Sequence, residues 1–196
     1  MAAKHDITRD DIMPMEAYVH VRKERRREIT EVKRHRRLAC GPDATFYFEN
    51  FATMWHQIHE MLYIERGGEA QIADELRAYN PLVPKGRELV ATVMFEIPDQ
   101  ERRHQVLSRL GGVEDMMTIG IDGETVRGVS EADLDRTTEA GKASSVQFVH
   151  FPFSDAQVAR FRQPGARIIV GIEHPQYAHM AVMPEAMRQS LADDFD

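Results

Sequence analysis

The chain has 196 residues, 42 % hydrophobic and 29 % charged, so it can bury a core and is not a disordered polymer. No apolar run approaches the roughly 18 residues of a membrane span, and the start, Met-Ala-Ala-Lys-His-Asp, lacks the apolar centre of a signal peptide. A single cysteine, Cys40, excludes an internal disulfide, a zinc ribbon and an iron–sulfur cluster held by this chain alone, and the expected compartment is reducing and cytoplasmic.

Residues 8–14 (TRDDIMP) read as a lead-in with a turn, followed by a long helix from about Met15 to Arg37. Tyr18, Val21, Ile29 and Val32 fall near one narrow helical stripe. Within this helix, residues 22–37 hold nine Lys/Arg and three Glu, a local +6 on a chain whose net charge is −7, which leaves −13 elsewhere. Such a helix either binds phosphate or an acidic partner, or is a solvated face that neutralises its own body or a second subunit. No aromatic residue lies between 22 and 37, so a stacking platform for single strands is missing there and nucleic acid is disfavoured.

Gly41-Pro42-Asp43 ends the helix, and ATFYFE (44–49) is rich in β-formers. Asn50 suits a helix N-cap, and Phe51, Met54, Trp55, Ile58, Met61 and Leu62 give the helix to Arg66 a strong apolar face. Gly67-Gly68 stops it. A shorter helix over 69–79 carries Ile72, Leu76 and Tyr79, and Asn80-Pro81 closes it. From Leu89 strands alternate with helices: strand 89–97, helix from Pro98 to about Leu110, strand 116–121, and an Asp122-Gly123 hairpin turn into 124–129. A polar loop with one helical turn at 131–136 follows, then strand 146–153, a helix over 156–161 capped by Ser154-Asp155, strand 166–173, and a terminal helix near 184–192. Residues 94–122 and 149–173 repeat the order strand, helix, glycine stop, strand. The expected fold is α+β: a helical N-terminal part over 1–86 with one short strand, and a C-terminal split-βαβ (ferredoxin-like) sheet over 87–196, forming one compact domain.

Most catalytic motifs fail on inspection. His59-Glu60 lacks the second histidine of a zinc protease, because Tyr63 stands in its place. The Glu101/His104 pair is a single copy of a motif that di-iron bundles need twice. No Walker loop, no dinucleotide fingerprint and no nucleophile elbow occurs. Cys40 follows cations but has no positioned base in its vicinity in sequence. Helix 51–66 is more informative. Glu65 falls on its apolar phase, with Gln57 and Glu60 on the seam, so Glu65 is expected to be buried and paired with a cation. His56 and Glu60 are four apart, a spacing that lets them share a metal. His174-Pro175-Gln176-Tyr177 follows a buried-looking strand; its histidine either serves a ligand or bonds a backbone carbonyl at a rigid exit.

Arg36-Arg37, Gly41-Pro42, Phe48-Glu49, the helix segment Gln57-Ile58-x-Glu60-Met61-Leu62-x-Ile64-Glu65-Arg66, Tyr79-Asn80-Pro81, Ser145-Val146-x-Phe148 and His174-Pro175-x-Tyr177 together are similar to an uncharacterised bacterial family, the domain of unknown function numbered 3501. The resemblance spans nearly the whole chain. It implies genomic company with a rubrerythrin-like protein and an iron–sulfur protein, and hence an accessory role in redox or peroxide defence. The expected ligand-binding candidates are Glu49, Gln57, Glu60, Glu65, Arg66, His174 and Tyr177, with His56 and Glu60 as metal candidates and no cofactor assigned. Arg22, Arg25, Arg26, Arg27 and Arg34 are the candidates for binding a partner, and a homodimer is the competing use of the same surface. Convergence of Glu49, Gln57, Glu60, Glu65 and His174 on one pocket would favour a metal- or small-ligand-binding enzyme. An exposed basic face free of acidic neighbours would favour nucleic acid.

Overall fold

A computed structural model describes residues 4–131, 137 and 141–196, and the polar turn expected at 131–136 lies outside them apart from Glu131. The first long helix, α1 (Met15–Arg34), ends three residues earlier than its basic run suggests. Arg36 turns inward, and a strand missed in the sequence, β1 (Arg37–Cys40), begins beside it. It forms a hairpin with β2 (Ala44–Glu49) around Gly41, whose φ of +76° suits glycine. A side chain there would also strike the ring of His179, 2.5 Å from an added Cβ.

Asn50 caps α2 (Phe51–Glu65) as expected, with its side chain accepting from the Thr53 amide. Arg66, in the left-handed region, terminates that helix, and α3 (Glu69–Tyr79) follows. The remaining elements are β3 (Glu88–Phe95), α4 (Gln100–Leu107), β4 (Met117–Ile121), β5 (Glu124–Arg127), β6 (Val129–Ser130), β7 (Val146–Pro152), α5 (Asp155–Phe161), β8 (Ile168–His174), β9 (Tyr177–Val182) and α6 (Glu185–Ala192). The Asp122-Gly123 turn joins β4 to β5 in a two-residue hairpin with positive φ at both positions. No helix among the described residues is long and apolar enough to cross a membrane.

The α+β class holds, but the sheet is not the expected ferredoxin-like one. The strands form two antiparallel sheets, ordered β1-β2-β3-β7-β6 and β5-β4-β8-β9. A split βαβ would seat β3, β4, β7 and β8 side by side. Here the free edge of β3 is occupied by the aromatic strand β2, and the hairpin partners β5 and β9 extend β4–β8 into a sheet of their own. The internal echo is nonetheless real. Both β3–α4–β4 and β7–α5–β8 start in the first sheet and end in the second, and the two units pair antiparallel, β3 with β7 and β4 with β8.

Strand alternation gives the five-stranded sheet two different faces. Phe46, Phe48, Val93, Val149 and Phe151 join Ile119, Ile121, Val170 and Ile172 of the other sheet in the main core. On the opposite face, Val90 packs with Met54, Ile58, Leu62, Ile72 and Leu82 under the helices. Burying each such side chain stabilises the fold by about 1.5–3 kcal/mol.

The junction of α1 and β1 is held by Arg36, 2 % exposed. Its Nε donates to the Phe48 carbonyl (2.9 Å), Nη2 to the Glu49 carbonyl (3.0 Å) and Nη1 to the Ser190 carbonyl (3.3 Å), and Nη2 also pairs with the Asp194 carboxylate. Burial pushes the Asp194 carboxyl up, and the guanidinium pulls against that shift. Removing one member of a buried pair strands the other charge. Asp194→Ala is therefore expected to lower unfolding free energy by about 3 kcal/mol in urea titrations, and a loss below about 1 kcal/mol would show that the three carbonyls suffice to hold Arg36.

Candidate functional site

The helix-facing side of the five-stranded sheet carries polar residues where β2, β3 and β7 run together. Tyr47, Thr92 and Phe148 lie opposite one another in register, as do Glu49 and Val90. Over them α2 contributes Thr53, Met54 and Gln57, the end of α1 contributes Lys33, and the turn after α3 contributes Leu82. A cavity of about 370 Å³ remains between the layers, within the ordinary range for small-molecule sites.

Glu49, 8 % exposed, is its chemical centre. One carboxylate oxygen accepts from Thr92 Oγ1 at 2.7 Å and the other from Thr53 Oγ1 at 2.6 Å. The helix cap creates this geometry. Asn50 binds the Thr53 amide, and its own amide donates to the Thr53 hydroxyl, so Thr53 is locked one turn from Glu49. Gln57 sits a turn further along the same wall and makes no side-chain hydrogen bond among the described residues. Thr53, Thr92 and Lys33 were missed as site residues. The available signals were a hydroxyl at the third position after the cap and a polar residue inside the apolar strand LVATVMF.

The other candidates lie elsewhere. Glu60 accepts two hydrogen bonds from Arg22, both 2.8 Å, and one from the Tyr18 hydroxyl at 2.8 Å. Arg22 holds the Glu60 carboxyl below its usual range, while burial and Glu60 push the Tyr18 phenol up. Glu65 is exposed and bonds Gln71, not a buried cation. It occupies the last turn of α2, past Leu62, where the apolar phase continues but the core cluster does not. Arg66 is also exposed. His56 is buried, and desolvation lowers its pKa; its Nδ1 has no hydrogen-bond partner among the described residues. Glu60, four residues from His56, is engaged by Arg22, and no three His, Cys, Asp or Glu among the described residues are grouped to hold a metal ion.

His174 and Tyr177 belong to the second sheet, where Pro175-Gln176 forms the turn between β8 and β9. His174 Nε2 lies 3.3 Å from the Gly111 carbonyl, and its Nδ1 accepts from the Gln176 amide. The buried Tyr177 hydroxyl donates to the Cys40 carbonyl and accepts from the amides of Asp43 and Ala44, all at 2.9 Å. It clasps the β1–β2 turn to β9. The Cys40 thiol is fully buried, and burial pushes its pKa up to about 11, which suppresses its thiolate. Of the five side chains whose convergence would mark one pocket, the structure brings together Glu49 and Gln57 only.

On α1, only Tyr18 and Ile29 are buried. Arg25 pairs with Glu28 and Arg34 with Glu31, so the basic face has acidic neighbours. Lys23, Arg26 and Arg27 pair with no carboxylate among the described residues and line a shallow cleft with Val19, Thr30 and Tyr63.

The family profile described as protein of unknown function (DUF3501) matches residues 6–195. The chain belongs to this family. A crystal structure of a novel protein of unknown function from Burkholderia pseudomallei is 36 % identical to this DUF3501 chain, covering 97 % of it and 99 % of the other chain, with a TM-score of 0.89. No match is found among curated proteins.

On α2 the DUF3501 chain buries a second histidine beside His56, His59, with no exposed surface. Its Nε2 accepts from the Met13 amide at 3.0 Å, which assigns the proton to Nδ1, bonded to the Trp55 carbonyl at 2.7 Å. The indole of Trp55 lies tilted against it with centroids 3.9 Å apart and donates to the Asp11 carbonyl. Desolvation lowers the His59 pKa below 6.5. The unfolded chain thus takes up this proton first, so the stabilisation is complete above pH 6.5 and is lost as pH falls toward the lowered folded value. The stability advantage of the native protein over His59→Leu is expected to shrink between pH 7 and pH 5 in urea titrations. An advantage independent of pH would refute the neutral tautomer.

Proposed function

We propose that this protein binds a small ligand in the cavity beside Glu49. The observation that carries the reading is a buried carboxylate held by two hydroxyls at the wall of a preformed space, with the uncommitted amide of Gln57 nearby. Burying a carboxylate without a cation is unfavourable, and a ligand that donates hydrogen bonds to it would offset that cost. A fragment screen by NMR tests this. Binders are expected to compete with one another and to shift the backbone resonances of Glu49, Thr53, Gln57 and Thr92; binders that all map elsewhere would dismiss the cavity.

We also propose that the protein is an accessory component of a redox or peroxide-defence system, working in the cytoplasm with a rubrerythrin-like or iron–sulfur protein. The setting rests on the family resemblance. The docking surface rests on Lys23, Arg26 and Arg27, which form no ion pair among the described residues, beside the exposed Val19. Arginine suits such surfaces because its fork pairs with carboxylates and its stem covers apolar area. The paired Glu28 and Glu31 favour an acidic protein surface over nucleic acid. Co-purification with both neighbours is expected at about 50 mM salt and is expected to fade by about 300 mM. Changing Lys23, Arg26 and Arg27 together to Glu should abolish it. A homodimer disrupted by the same changes, with neither neighbour retained, would assign the surface to self-association instead.

A further inference from the structure

We propose that the ligand of the Glu49 cavity is a zwitterion: an ammonium and a carboxylate on a small apolar body, as in a free amino acid with an apolar side chain. This rests on the small-ligand reading of the cavity and adds its chemistry. Three charged side chains besides backbone dipoles bear on the space: Glu49, Arg36 and Lys33. Arg36 is matched by Asp194 and by three carbonyls, so it has little left to offer. Glu49 receives only hydroxyl donors, and a carboxylate has about four acceptor sites, of which two are filled here. Lys33, on the last turn of α1, makes no ion pair among the described residues. The cavity is therefore bounded by one unmatched anion and one unmatched cation.

That balance selects against singly charged ligands. A lone ammonium drawn to Glu49 meets the like charge of Lys33, and a lone carboxylate drawn to Lys33 meets Glu49. A molecule with both groups gains on both sides, through charge-assisted hydrogen bonds that are about twice as strong as neutral ones. Gln57 adds a neutral amide that can donate and accept. Between the poles, Met54, Leu82 and Phe148 supply apolar wall suited to an aliphatic or aromatic side chain.

Isothermal titration of the full chain tests the assignment with L-phenylalanine, phenethylamine, 3-phenylpropionate and benzyl alcohol, which share a ring and differ in charge; L-leucine repeats the zwitterion with an aliphatic body. One of the two amino acids is expected to bind at least about tenfold more tightly than either singly charged compound. Glu49→Gln should erase the advantage over 3-phenylpropionate, and Lys33→Met the advantage over phenethylamine. Lys33 is largely exposed, so its variant keeps the test open should Glu49→Gln fail to fold. Phenethylamine or 3-phenylpropionate binding as tightly as the amino acids overturns the zwitterion and leaves the small-ligand site standing. So does benzyl alcohol alone binding there. Failure of every probe to perturb the cavity overturns both.

Discussion

A buried guanidinium organises this molecule. Arg36 stops α1, starts β1, takes the last two carbonyls of β2 and reaches across 158 residues of sequence to Asp194 at the end of α6. Taking a charge out of water is costly, and the cost is offset where the charge is paired and its donors find acceptors. Here three carbonyls and a carboxylate take four of the five guanidinium N–H groups. Because the guanidinium grips the backbone at Phe48 and Glu49, it sets where β2 ends and hence where the Glu49 side chain stands. The cavity owes its carboxylate position to an ion pair that does not itself need to touch a ligand.

Two further clasps complete the frame. Tyr177 fastens the β1–β2 turn to the second sheet by three hydrogen bonds through one hydroxyl. His59, Trp55 and the backbone of Asp11 and Met13 fasten the segment before α1 to α2. Each places a polar group where it is satisfied by backbone, which is the condition for burying it cheaply. These residues look like chemistry in a one-dimensional reading, because buried His, Tyr and Glu are what active sites are made of. In this protein Glu60, His174 and Tyr177 have their hydrogen-bonding capacity used by the fold. Among the described residues, Glu49, Gln57 and Lys33 around the cavity retain capacity, as do Lys23, Arg26 and Arg27 on α1 and the buried Nδ1 of His56.

The layered architecture explains why a cavity forms there. Apart from the buried Gln147, the five-stranded sheet is largely apolar on the side facing the second sheet, and that side closes into a core of interlocking aromatics and branched chains. Its other side alternates Val90 with Thr92, and Phe148 with His150, which cannot pack as densely under a helix. The space over Thr92 and Glu49 is what the helices leave uncovered. Energy lost in packing is placed where the polar groups are.

Local signals sufficed for much of the secondary structure. The Asn50 cap, the Asp122-Gly123 turn and the Ser154 cap each act through their own backbone within a few residues, so they are legible in one dimension. The apolar stripe of α2 likewise located Met54, Ile58 and Leu62 in the core. Periodicity says which face a residue is on, but not how far the neighbouring structure extends; this is why Glu65, on the right face, ends in solvent. Strand pairing is decided by which edges remain free once β2 has paired with β3 and β9 with β8, a competition among segments far apart in sequence. Only the tertiary structure settled it, and with it the two-sheet arrangement, the burial of Arg36 against Asp194, and the meeting of Glu49 with Thr92.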